Sequence, residues 1–220
     1  MEVSTIFESS SANKHINIMR FLLFLNLLLL YSCGNSQNQK NSMTEKSVEL
    51  YNIFDKEDHL RPAFNKTKFD TLHGWDFGWE LLKPINIAKN DNHEKKLAKR
   101  FAPGQKALYF IWYLDAQLTN GGFIQFFWNY DRQYIPPIVA GLELIGDTSM
   151  LKLVDKADEE YLKHVKEFAQ QRKKKDWEPL YNKLKSFDKF DETYYTIHDK
   201  TMELIEAYAR KHPDEFVKFN

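Results

Sequence analysis

The chain holds one cysteine in 220 residues. That scarcity excludes an intramolecular disulfide and any zinc site built from cysteine thiolates. It also lacks a surplus of either charge, since 31 basic residues meet 31 acidic ones. A phosphate-backbone binder needs a basic excess, so direct nucleic-acid binding is not expected. The same balance excludes an acidic decoy built on net charge, and leaves only local patches to carry an electrostatic role. No HExxH, no GxSxG and no phosphate-cradling glycine loop occurs, so no reactive centre and no cofactor are expected. Glu160 and His164 stand four apart and would need a third ligand to hold a metal, while His93, His198 and His212 are scattered. No metal site is expected. Strongly alternating segments and internal repeats are missing too.

The longest apolar run, FLLFLNLLLLY at residues 21–31, follows Met19-Arg20 and precedes Ser32-Cys33-Gly34. At ~1.5 Å per residue it is too short to cross ~30 Å of hydrocarbon. A short apolar stretch after a basic residue, ending at small residues, has the form of a signal peptide. Leu30-Tyr31-Ser32-Cys33 resembles the lipobox of bacterial lipoproteins, with Tyr31 bulkier than the usual residue. The resemblance implies acylation of Cys33 and cleavage just before it. Residues 1–33 are therefore expected to be a lipoprotein signal, with Met19 as an alternative start, and the polar residues 34–43 a flexible tether. Membrane contact is expected through the lipid on Cys33, facing the periplasm from the outer membrane. The competing readings are a secretory signal with a free thiol, or a buried apolar helix in a cytoplasmic protein.

Residues 44–220 carry 3.6-residue apolar spacing, and the expected fold is all-α. Helices are predicted over 70–83, 107–118, 123–130, 134–145, 149–171, 177–184 and 193–211. Pro103 suits a first helical turn, Asp147 or Thr148 an N-cap, and Gly146 a C-cap. The charged stretch 89–100 reads as a solvated loop or helix end. Helix 107–118 is apolar nearly all round, which requires burial on most sides.

The densest motif is YLDAQLTNGGFIQFFWN at 113–129. Two helices meet there at Asn120-Gly121-Gly122-Phe123, where glycines let backbones approach closely. Asp115, Asn120, Gln125 and Asn129 recur among the aromatics. Gln125 and Asn129 lie four apart on one helix face, and such buried groups must satisfy one another. This motif, with Ala140 to Gly146 and a closing His212-Pro213-Asp214-Glu215-Phe216, resembles the family named for the C-terminal domain of a bacterial DNA-mimic protein. The resemblance covers about 100–217. It implies an all-α fold and, for the founding member, an acidic surface that occupies a DNA-binding protein's site.

On the last predicted helix Glu192, Asp199, Glu203 and Glu206 fall within one narrow arc, interrupted by Lys200 and Arg210. A solvated face with an ordinary Glu206–Arg210 pair is the plainer reading. The aromatic cluster around 109–134 reads as core before ligand groove. The function expected from the sequence is non-enzymatic binding of an unknown protein partner through the corner and adjacent acidic helices. The alternative is a small-molecule or envelope-ligand binder with an aromatic groove beside Gln125 and Asn129.

Overall fold

The computed structural model describes residues 51–220. The expected signal peptide, Cys33 and the tether lie outside the described residues. The fold is all-α, organised about one long bent helix. In chain order the described elements are β1 (Ala63–Phe64), α1 (Lys66–Thr71), α2 (Gly74–Leu82), α3 (Asp91–Ala98), α4 (Pro103–Tyr130) and α5 (Ile135–Ile145). They continue with α6 (Thr148–Lys163), α7 (Val165–Lys174), α8 (Glu178–Lys183), α9 (Asp188–Lys211), α10 (Pro213–Phe216) and β2 (Lys218–Phe219). The two-residue strands pair in parallel and join the two ends of the described chain.

Helix α4 is the spine because its sequence has no polar face to give to water. Nineteen of its 28 residues are buried, as expected for a helix apolar all round. Pro103 occupies its first turn, where a missing N–H costs nothing. Helix α5 packs against α4 at Gly141, where a methyl group would come within 2.9 Å of the Ala107 Cα. Gly146 ends α5 at φ +74°, and the Asp147 carboxylate then accepts from Met150 N at 2.9 Å to start α6. The aromatic run of α4 supplies the core: Phe127 stacks on Tyr161 at 4.3 Å and Tyr130 on Tyr134 at 4.2 Å.

Four expected elements differ from the observed ones. The helix foreseen over 70–83 is two helices, broken at Leu72-His73. Arg210 causes the break to hold: its guanidinium donates to Phe69 O and Leu72 O at the end of α1. Glu206 accepts from Gly74 N (2.5 Å) at the start of α2. The stretch 89–100 is not a solvated loop but contains α3, capped by Asn90. Glu94 of α3 is buried, and its carboxylate accepts from Tyr134 (2.5 Å), Tyr109 (3.0 Å) and Tyr51 (3.4 Å) hydroxyls. Burial raises its pKa, and Asp91 adds to that, while the phenols act in the opposite direction. The long helix 149–171 is bent at His164 into α6 and α7, which keeps Phe168 and Gln171 inside and sends Arg172 to Phe127 O and Trp128 O. The last long helix starts at Asp188, five residues before the expected Thr193.

Candidate functional site

The NGGF corner divides α4 into two helical runs that meet at a kink, as the double glycine led us to expect. Gly121 has φ −159° and ψ 24°, and Gly122 has φ +69° and ψ −170°, a combination essentially reserved for glycine. The bend leaves backbone groups without intrahelical partners, and other elements supply them. Asp191, in the first turn of α9, accepts from Phe123 N at 2.8 Å. Tyr181 of α8 donates to Gly121 O at 2.6 Å. Both glycines are tightly covered: a methyl on Gly122 would lie 2.6 Å from the Asp191 Cγ, and one on Gly121 would lie 2.8 Å from the Tyr181 hydroxyl.

Inside the bend the amides form one network. Gln117 Oε1 accepts from Gln125 Nε2 (2.9 Å) and from Asn129 Nδ2 (2.6 Å), and Gln125 Oε1 accepts from Asn120 Nδ2 (2.8 Å). Gln125 and Asn129 thus meet through a shared acceptor and not directly. Asp115 is buried one turn back and accepts from the Tyr194 hydroxyl of α9. The structure therefore brings Asn120, Gly121, Gly122, Phe123, Gln125 and Asn129 into one corner, with Asn120 and Asn129 at its exposed rim, and sets the expected Asp115 apart from their network, against Tyr194.

Three residues central to the corner escaped sequence reasoning. Gln117 stands eight residues before Gln125 in the same motif, so two helical turns of separation were a signal that it could share that network. Asp191 and Tyr181 have no local signal, because their roles arise from contacts across more than 55 residues of chain. Burial pushes Asp191 up to about 6, with the Phe123 N–H opposing and Asp188 adding to the rise.

The four carboxylates on α9 do not form an even stripe. Glu206 is held by Arg210 (2.8 Å), His73 Nδ1 (2.7 Å) and Gly74 N, so it is a clamp on the α1–α2 break and not a solvated pair. Its pKa is lowered on balance: burial raises it, and the Gly74 N–H, Arg210 and His73 outweigh that. Asp199 accepts from the Trp75 indole at 2.8 Å, and Glu203 pairs with Lys200 at 3.1 Å. Glu192 is exposed beside the corner.

Phe123, Phe126 and Phe127 are fully buried, so the aromatic run of the motif is core and does not line a groove. A small cleft of about 10 Å³ lies elsewhere, between α2, α4, α6 and α9, lined by Trp75, Asp115, Tyr194, His198 and Met202 among others. It has room for about one water. Among the described residues no three His, Cys, Asp or Glu side chains are grouped to hold a metal ion, and no helix is long and apolar enough to cross a membrane.

No curated protein matches the chain. A family model described as DMP19-like protein matches residues 99–212, more than half of the sequence, and runs from the end of α3 through the corner to the end of α9. The chain belongs to the DMP19-like protein family.

Proposed function

We propose that this DMP19-like chain is a non-enzymatic protein-binding module, carried at the cell envelope by a lipid on Cys33, with the double-glycine corner as its contact surface. The observation that carries the reading is the corner itself. Its amides, its Asp191 carboxylate and its backbone groups are engaged with one another, so the bend is rigid and its polar atoms are committed to structure. Around that rigid base Asn120, Glu192 and Asp188 face solvent, and Tyr195, 53 % exposed, donates to Leu118 O at 3.4 Å. Tyrosine is enriched among binding hot spots, and a rigid base lowers the ordering cost of association. The DNA-mimic association of the family fits a partner that accepts acidic groups, and the exposed carboxylates of Asp188 and Glu192 stand near the start of α9 here. With the chain neutral overall, any such mimicry rests on that local group.

Capture of partners from the native envelope, with wild type, Tyr195→Ala and Glu192→Lys compared side by side, tests the surface. The expected result is a specific protein held by wild type and lost from both variants. A protein held equally by all three sinks the assignment of the corner, and so does recovery of none. Radiolabelled fatty acid incorporated by wild type and not by Cys33→Ser is the matching result for the anchor.

A further inference from the structure

Helix α7 presents an exposed side rich in lysine. Phe168 and Gln171 turn inward, and at 100° per residue the opposite side carries Lys166, Ala169, Gln170, Lys173 and Lys174, all exposed. Lys175 ends the helix at φ +56° and extends the basic run. The lysines that do find carboxylates in this region are Lys163, on Glu160, and Lys185, on Asp188; Lys166, Lys173, Lys174 and Lys175 make no ion pair among the described residues. The neighbouring acids are Glu160 and Glu167, which flank His164, and the exposed Asp176 and Glu178. Large apolar side chains stand exposed just before and just after these lysines in the chain: Leu162 (49 %), Val165 (39 %) and Trp177 (40 %).

We propose that Leu162, Val165 and Trp177, together with Lys166, Lys173, Lys174 and Lys175, rest on the anionic phospholipid headgroups of the bilayer that carries the anchor. The inference rests on the lipid-anchored reading above. Apolar and tryptophan side chains beside lysines are the chemistry of an interfacial surface, with the rings at headgroup level and the ammonium groups on phosphate. The eighteen Cα-to-Cα steps from Cys33 to Tyr51 span at most about 65 Å. An acylated Cys33 therefore confines the domain close to the bilayer, where weak attraction suffices. A lipid chain with a polybasic patch also holds more firmly than one chain alone.

Lysine footprinting of the full chain on vesicles tests this. The chain is reconstituted in phosphatidylcholine, with and without phosphatidylglycerol, and acetylation rates are read by mass spectrometry. Lys166, Lys173, Lys174 and Lys175 are expected to label roughly fivefold more slowly on the anionic vesicles at low salt, the factor that corresponds to one favourable charge contact each. The exposed Lys96 and Lys152 serve as controls with unchanged rates. High salt should abolish the protection, and Lys166→Glu with Lys173→Glu should remove it from Lys174. Equal labelling on the two vesicle types overturns the proposal. So does equal protection by a soluble DNA duplex, which marks an indiscriminate polyanion patch. Headgroup protection without fatty-acid labelling of Cys33 overturns the anchor and leaves this surface standing.

Discussion

Gly122→Ala is the sharpest perturbation of the corner. The backbone at φ +69°, ψ −170° lies in a region that costs a side-chain-bearing residue about 1–3 kcal/mol. The added methyl also enters the Asp191 carboxylate, 2.7 Å from Oδ1, the atom that accepts from Phe123 N. Moving that carboxylate forfeits a hydrogen bond to a charged acceptor, about 1.5–3 kcal/mol. The two effects together predict a loss of about 2.5–6 kcal/mol, a large share of the stability of an ordinary domain. Urea unfolding followed by tryptophan fluorescence measures it. Two controls separate the terms. Gly146→Ala, at φ +74° with open space around it, carries only the backbone cost of about 1–2 kcal/mol. In an Asp191→Ala background Gly122→Ala should cost about 2 kcal/mol less than in wild type, because clash and hydrogen bond are both gone. The reasoning is refuted if Gly122→Ala costs no more than Gly146→Ala, or costs the same with and without Asp191.

Asp191 also sets a pH dependence. Its folded pKa of about 6 lies above the ordinary 3.8, so its contribution is fully present below about pH 3.8 and is lost as pH rises through 6. Two pKa units correspond to about 3 kcal/mol, and partial exposure of the group reduces that to about 1–2 kcal/mol. Asp191→Asn keeps an acceptor for Phe123 N without the buried charge. It should gain about 1 kcal/mol on wild type between pH 4.5 and 7.5 in paired urea titrations, and a pH-independent difference would contradict the assignment. Arg210→Ala should cost about 2–4 kcal/mol, since it strips donors from Phe69 O and Leu72 O, unpairs Glu206 and uncovers the Phe77 ring, 4.4 Å from the guanidinium. Hydrogen exchange should quicken across α1 and α2, and Arg210→Lys should restore little, because one ammonium cannot match the planar fork.

Much of the fold was legible along the chain. The apolar circumference of 107–118 required burial, Gly146 marked a helix end, Asp147 a beginning, and the double glycine a bend between two helical runs; each of these signals acts within a few residues. The same locality explains the errors. Residues 70–83 look continuous because nothing within them announces that Arg210 and Glu206, more than 130 residues away, will stabilise two helix ends at Leu72 and Gly74. The stretch 89–100 looks solvated because its charges dominate its composition, yet three tyrosines from distant segments surround Glu94.

The corner divides in the same way. Local sequence determined that the chain must bend at Gly121-Gly122 and that Asn120, Gln125 and Asn129 would face one another's neighbourhood, because backbone sterics and helical spacing operate at short range. Only the tertiary structure decided that Gln117 would be the shared acceptor, that Asp191 and Tyr181 would complete the backbone, and that Glu206 would be a clamp instead of part of an acidic stripe. Asp191 and Tyr181 reach the corner from α9 and α8, Glu206 reaches the α1–α2 break from α9, and Gln117 meets Gln125 only once the kink has set the two halves of α4 against each other.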